Sequence, residues 1–373
     1  MTLVLDSGSG VTVAFALQID PPIGGNDRPL LGLSLPLRLA LTAQSAGAVA
    51  IVAEPPLHPA LRDERLRIPV LTTRPSGAWL VRTPANLVIH RGLLGAALQG
   101  RGERDWSILE EPYPFDVPFG FDPILVQTPE DQARARKALL RSLRKPQDGW
   151  TSTYLNRYIS LFFTRFLVAT PLRPNQVSVA ILAIGLAGAW LATRGTYLDL
   201  LVGAFLFQAQ SVLDGCDGEM SRLTFQGSKM GEWLDTIGDD LTNYGYFTGA
   251  SWGLYTATQS RLYLVAGAII LACGVITSTI EYAYLIKIGS GDLLRYPLGI
   301  GKAPGGNKDK GGLARVVDAI SPLFKRDTFV LLTLLGAVLG FLQVMIVLFA
   351  LGAMMILLAV INAEMRMRSS SRG

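Results

Sequence analysis

Asp214-Gly-Cys-Asp217-Gly218-Glu-Met-Ser221-Arg222, then eight residues, then Gly231-Glu-Trp-Leu-Asp235-Thr-Ile-Gly-Asp239, is a run of carboxylates set between two long apolar stretches. Asp214 and Asp217 stand at i, i+3, and Asp235 and Asp239 at i, i+4, so each pair shares one helical face. A turn near Thr224–Ser228 would bring all four carboxylates together. Anions so close to a bilayer repel one another and are costly to desolvate, and ionisable groups in such segments face a bundle interior and mark function. Oxygen-rich ligation suits hard cations, so Mg2+ is the first choice, with Mn2+ and Ca2+ left open. Gly218 and Gly231 leave gaps through which a bulky ligand can approach the backbone. The Arg222 fork can neutralise a phosphate oxygen. Metal, glycine gaps and arginine together describe a diphosphate site.

The sequence around this run predicts a membrane bundle. A spanning helix needs about 20 mainly apolar residues to cross about 30 Å of hydrocarbon. Candidate spans are Val177–Ala192, Leu198–Leu213, Leu234–Tyr255, Leu262–Ile286, Phe329–Val344 and Ile346–Ala363, with a turn expected at Gly340–Gln343. Six spans put both ends on one side, together with the basic loop Lys287–Arg326 and the aspartate turn. Excess Lys and Arg marks that side as cytoplasmic. Met1–Ile19 lacks a basic n-region and a small-residue cleavage site, so the amino-terminal part is expected to stay in the cytoplasm.

Ahead of the first span, Thr151–Thr170 carries Tyr154, Tyr158, Leu161, Phe162, Phe166 and Leu167 on one helical stripe, with Arg157 and Arg165 towards the other side. This pattern predicts an amphipathic helix in the membrane interface. Residues 1–142 read differently. Leu39–Ala46 predicts a helix; Ala48–Ala53, Ile68–Thr72 and Leu87–His90 predict strands; Gln132–Lys145 predicts a charged helix. That alternation favours a soluble α/β domain. The expected division is therefore 1–142 for this domain and 143–373 for the interfacial helix and six-helix membrane domain.

Of the 373 residues, 50% are hydrophobic and 17% charged, a balance tilted towards a membrane protein. The net charge of +5 sits in clusters flanking the apolar spans, which argues against nucleic-acid binding. Cys216 and Cys273 suggest neither a disulfide framework nor a thiolate metal site, and His58 and His90 are too sparse for a histidine site.

The aspartate run resembles the signature of the CDP-alcohol phosphotransferases, D-x2-D-G-x2-A-R-x8-G-x3-D-x3-D. Seven of the eight fixed positions match at the correct spacing, and Ser221 stands where the family has alanine. Pro174-Asn175 before the first span is similar to a short family feature. The resemblance implies that Asp214, Asp217 and Asp235 hold a two-metal site, with Asp239 as a shared ligand or the general base. It implies that Asp214, Asp217, Gly218, Ser221, Arg222 and Gly231 contact the nucleotide, and it leaves Lys229 as a candidate for an acceptor phosphate. The implied reaction passes a substituted phosphate from a CDP-alcohol, such as CDP-diacylglycerol or CDP-inositol, to an alcohol or alcohol phosphate, releasing CMP. A homodimer in the cell membrane, with the site and both termini cytoplasmic, is likewise implied. Asp240 lies off the 235/239 face and is left outside the catalytic set.

The layout, with Arg28-Pro-Leu-Leu-Gly and the linker Leu140–Gly149, also resembles fusions of a sugar- or inositol-phosphate cytidylyltransferase to such a phosphotransferase. A working nucleotidyltransferase needs a basic Gly-rich loop and a following lysine. Here Asp6-Ser-Gly-Ser-Gly10 lacks the basic residue, no lysine precedes Lys137, and Arg82-Thr-Pro-Ala-Asn86 replaces the expected metal-binding aspartate. A non-catalytic domain is expected. The alternative class of function is a divalent-cation transporter using the intramembrane aspartates; it leaves Gly218, Arg222 and Gly231 unexplained.

Overall fold

The computed structural model describes residues 14–24, 28–99, 105–108, 121–144, 151–297 and 326–370. Asp6–Gly10 and most of the basic loop 287–326 lie outside them. The chain forms two units: 1–145 with 168–170 and 222–226, and the remainder.

In the first unit the apolar stretch FALQID forms β1 (Phe15–Asp20), in which Ala16 and Leu17 are fully buried. It is followed by α1 (Leu35–Ser45), β2 (Ala50–Ala53), the short α2 (His58–Leu61), β3 (Val70–Leu71), β4 (Trp79–Pro84), β5 (Leu87–Val88) and α3 (Arg91–Gln99). β6 (Trp106–Ser107), β7 (Ile124–Leu125) and α4 (Pro129–Arg141) complete it. The main sheet has the order β3-β2-β1-β4-β6, and every pairing in it is parallel. Parallel strands bury both faces and so read as apolar runs without alternation, as AIVA does in β2. Leu87–His90 was expected among the strands of the domain; only Leu87–Val88 is strand, and it pairs antiparallel with β7 in a separate two-stranded sheet.

The second unit is helical. A π-helical turn (Ser152–Asn156) leads into α5 (Arg157–Leu167), then α6 (Pro174–Ala192), α7 (Tyr197–Leu213), α8 (Gly215–Thr224, whose last turn belongs to the first unit), α9 (Lys229–Thr258) and α10 (Arg261–Ile288). Beyond residues 298–325 come α11 (Arg326–Val338) and α12 (Leu342–Ser370). Gly340, at φ 76°, provides the break, beginning a little before the expected Gly340–Gln343.

Among the described residues three helices, α6, α10 and α12, are long and apolar enough to cross a membrane. The other three expected spans differ for physical reasons. α7 has 17 residues and α11 has 13, the latter reaching only about 20 Å at 1.5 Å per residue. α9 is long, with 30 residues, but its first turns carry Glu232, Asp235, Asp239 and Asp240 and its later turns are rich in Thr, Tyr and Gly.

Helix packing relies on small residues. A Cβ on Gly253 would lie 2.2 Å from the Ala192 carbonyl oxygen, so glycine there lets α9 meet the end of α6 backbone to backbone. The core is aromatic: Phe207 stacks on Tyr246 at 4.6 Å between ring centres. Outside, Trp190, Phe205, Leu262, Leu339 and Leu358 are exposed. So much apolar surface suits lipid contact.

Candidate active site

The aspartate turn is built where α7 ends. Asp214 follows the last residue of α7, and α8 begins at once with Gly215. α9 starts behind a Ser228 cap whose Oγ accepts from the Gly231 amide at 3.0 Å. Asp235 and Asp239 then follow on one face of its first turns. Oxygen atoms of Asp214, Asp235 and Asp239 all lie within 4.8 Å of one another. At that spacing each ionised pair repels by roughly 3 kcal/mol at an effective dielectric near 20. The cluster therefore needs a cation.

One is supplied by the chain. Arg326, the first residue of α11, places Nη1 at 2.9 Å from Asp239 Oδ1 and 3.4 Å from Asp214 Oδ2. Its Nη2 donates to Gln210 Oε1 at 2.6 Å, and its Nε donates to Asn243 Oδ1 at 3.3 Å. Three carboxylates against one guanidinium leave an excess of negative charge. Asp239 Oδ1 is buried and accepts no hydrogen bond, because Arg326 is close to it without being aligned. An orphaned carboxylate oxygen within an all-oxygen donor set fits a hard divalent cation.

The remaining predicted residues are placed as follows. Asp217 is buried outside the three-carboxylate group, accepts from Ser178 Oγ of α6, and accepts from the Gly218 amide at 2.5 Å. Ser221 Oγ donates to the Gly218 carbonyl at 3.0 Å, so the serine that replaces alanine satisfies its hydroxyl locally. A Cβ on Gly231 would meet Asn175 Oδ1 at 3.1 Å, bringing the Pro174-Asn175 pair beside the signature. Arg222 is exposed. Lys229 lines a groove with Trp233, Ile237, Tyr282, Leu285 and Ile286, and none of the clustered aspartates lines it. Asp240 accepts from Ser278 and, at 2.7 Å, from Tyr282 OH. Burial pushes the Cys216 thiol up to about 12, so it stays neutral at physiological pH.

Arg326 was not singled out by sequence reasoning, in which it closes a basic loop. α5 also corrects one expectation. Arg157 and Arg165 do not share a side: Arg157 is buried, whereas Arg165 lies over the exposed Phe162 and Phe166 rings at 4.2 and 4.5 Å.

In the first unit the strand order reverses between β1 and β4, and sheets of this kind take ligands outside the strand carboxyl ends at such a point. Two interactions lie at or just beyond those ends. Arg82 pairs with Asp20 at 3.3 Å. Asn86, 1% exposed, donates to the carbonyls of Ile23 and Val126 at 2.9 Å and accepts from the Ile23 amide at 3.0 Å. Its side chain is fully engaged in holding loops together.

The Aquifex aeolicus bifunctional IPC transferase and DIPP synthase is 34% identical over 124 residues, 33% of this chain and 28% of that protein. The namesakes from Thermococcus kodakarensis and Rubrobacter xylanophilus are 37% and 35% identical, over 31% and 39% of this chain and 26% and 34% of their own lengths. The chain resembles CDP-alcohol phosphotransferases. The matches span about a quarter to a third of these relatives. No family model matches. A solved Mycobacterium tuberculosis phosphatidylinositol phosphate synthase with CDP-DAG bound aligns over 55% of this chain and 93% of its own, at 20% identity and a TM-score of 0.41, a likeness too loose to assign the fold.

Proposed function

We propose that this chain is a membrane-embedded, divalent-metal-dependent CDP-alcohol phosphotransferase. The observation that carries the reading is the convergence of Asp214, Asp235 and Asp239, residues of one long signature, on a common point. The donor is a CDP-alcohol, either a polar one such as CDP-inositol or the lipid CDP-diacylglycerol. The acceptor is an alcohol or alcohol phosphate.

In this reading Asp214, Asp235 and Asp239 would hold Mg2+ or Mn2+, and Asp217, one helical turn on from Asp214, would complete the set. A divalent cation held there would supply charge stabilisation for the phosphates and the departing CMP. Gly218, Ser221 and Gly231 line the nucleotide's approach, and Arg222 balances its phosphate charge. Asp239 takes the proton from the acceptor hydroxyl. The acceptor oxygen bonds to the β-phosphorus, and the bond from that phosphorus to the oxygen retained by CMP breaks. Lys229 stands at the start of α9 as a candidate contact for an acceptor phosphate.

The six helices α6, α7, α9, α10, α11 and α12 form the membrane domain, with α5 in the interface and both termini cytoplasmic. Tilted neighbours and flanking polar residues let the shorter helices serve as spans. Residues 1–142 act as a non-catalytic nucleotidyltransferase-like domain, a role supported by the structural use of Asn86. The enzyme works as a homodimer.

The test is CMP release by purified full-length protein in detergent with Mg2+ or Mn2+, given CDP-inositol or CDP-diacylglycerol against a panel of alcohols and alcohol phosphates. Release confined to one donor–acceptor pair and abolished by chelator is expected. Nucleotide-free, metal-dependent uptake into vesicles would favour the transporter instead.

A further inference from the structure

The inner face of α5 is polar, which is unusual for a helix whose outer face is aromatic. Arg157, Ser160 and Thr164 recur at helical spacing and are 8%, 1% and 0% exposed, while Tyr158, Phe162 and Phe166 face outward. The inner three converge on Glu219 of α8, itself 0% exposed. Glu219 Oε1 accepts from Arg157 Nη1 at 2.8 Å and from Ser160 Oγ at 2.7 Å, and Oε2 accepts from Thr164 Oγ1 at 2.7 Å. One helix thus satisfies both carboxylate oxygens.

Glu219 occupies a variable position of the signature, so the reaction pattern assigns it nothing. Its place in α8 is informative. It lies one turn beyond Gly215 and on the same face, whereas Asp214 and Asp217 lie towards the opposite face. A Cβ on Gly215 would sit 3.3 Å from both Arg157 Nη1 and Ser160 Oγ, so the absent side chain lets α5 press against the turn that carries Asp214. Between them, the buried Cys216 Sγ donates to the Ser160 carbonyl at 3.5 Å. The backbone from Gly215 to Glu219 is therefore held along its length by α5.

A buried ion pair is a poor device for stability alone, because well-packed apolar residues often serve as well or better. Its hydrogen bonds do fix direction and register. We propose that Glu219 is a positioning residue: through Arg157, Ser160 and Thr164 it fixes the α8 turn against the lipid-facing helix α5, and thereby aims Asp214 at Asp235 and Asp239. The proposal rests on the metal-site reading above. It also makes the seat of α5 at the lipid surface a determinant of the site's geometry.

The experiment is a Mn2+ titration of full-length protein followed by electron paramagnetic resonance, on wild type, Glu219→Gln and Thr164→Val, with thermal melting recorded alongside. Outer-shell partners of metal ligands typically contribute about 10–100-fold in affinity, so Glu219→Gln should weaken Mn2+ binding at least about tenfold. Thr164→Val, which deletes one hydrogen bond at nearly constant shape, should weaken it several-fold. A lowered melting temperature with unchanged Mn2+ affinity in both variants would make the network merely structural and overturn the proposal. Should Glu219→Gln fail to fold, Thr164→Val decides alone. Wild-type protein that binds no Mn2+ would defeat the metal reading itself, and the proposal with it, an outcome distinct from equal binding by all three proteins.

Discussion

Replacing Arg326 with glutamine isolates the electrostatics of the carboxylate cluster. The guanidinium lies 2.9 Å from Asp239 and 3.4 Å from Asp214, and the three side chains are only 20%, 26% and 25% exposed. At an effective dielectric near 20, Coulomb's law gives about 5–6 kcal/mol for each contact before desolvation is charged against it. Breaking a buried pair typically costs about 3–5 kcal/mol. A divalent cation taking the same oxygens has to displace the guanidinium or share with it. If only a third of the pair energy returns to metal binding, affinity rises about tenfold, or about 1.4 kcal/mol. Glutamine keeps an amide near Gln210 and Asn243, so the change is mainly one of charge. The assay is a Mn2+ titration of purified protein by electron paramagnetic resonance. Arg326→Gln protein binding Mn2+ no more tightly than wild type would refute the idea that arginine and metal compete for these oxygens.

Three further outcomes are expected. Asp239→Asn should keep donor binding within about threefold while turnover falls by roughly 100-fold or more, the contribution of a positioned base; unchanged turnover would remove Asp239 from that role. Gly253→Ala would put a Cβ 2.2 Å from the Ala192 carbonyl oxygen and 2.8 Å from the Gly195 amide nitrogen. Overpacking of this kind costs about 1–3 kcal/mol, so a lower melting temperature in detergent is expected, and an unchanged one would contradict the close approach. The Arg65 guanidinium hydrogen-bonds Asp63 and holds its carboxyl below the ordinary range. That contribution to stability is present above the unfolded pKa of about 3.9 and disappears as pH falls through the folded value. Hydrogen-exchange protection of the Asp63–Leu66 turn, corrected for intrinsic rates, should therefore fall in acid for wild type and stay level for Asp63→Asn.

The carboxylate cluster was legible because its information is local. Spacings of three and four residues, with a short turn between, suffice to bring Asp214, Asp235 and Asp239 together. Arg326 was not legible, because it reaches Asp214 across 112 residues and follows a basic loop whose composition explains it equally well. The wheel for Thr151–Thr170 placed the aromatic stripe correctly but put both arginines opposite it. Eight residues put the two arginines about 80° apart around α5, and Arg157 finds a buried partner that no local pattern reveals. In the first unit the α/β alternation was readable, yet the central strand, Phe15–Asp20, was not singled out. Apolarity counted six spans, whereas helix length and polar content leave three among the described residues that stand alone on those grounds. Polar side chains that face a site lower the hydropathy of the helix that builds it, as in α9.

The most direct test of the account is 31P NMR of a reaction containing wild-type protein, a CDP-alcohol and its acceptor, with and without divalent metal. Equal amounts of CMP and a new phosphodiester, both abolished by chelator and by Asp235→Asn, are the predicted result. CMP formed without phosphodiester would contradict transfer to an acceptor. Full activity in Asp235→Asn would contradict the site.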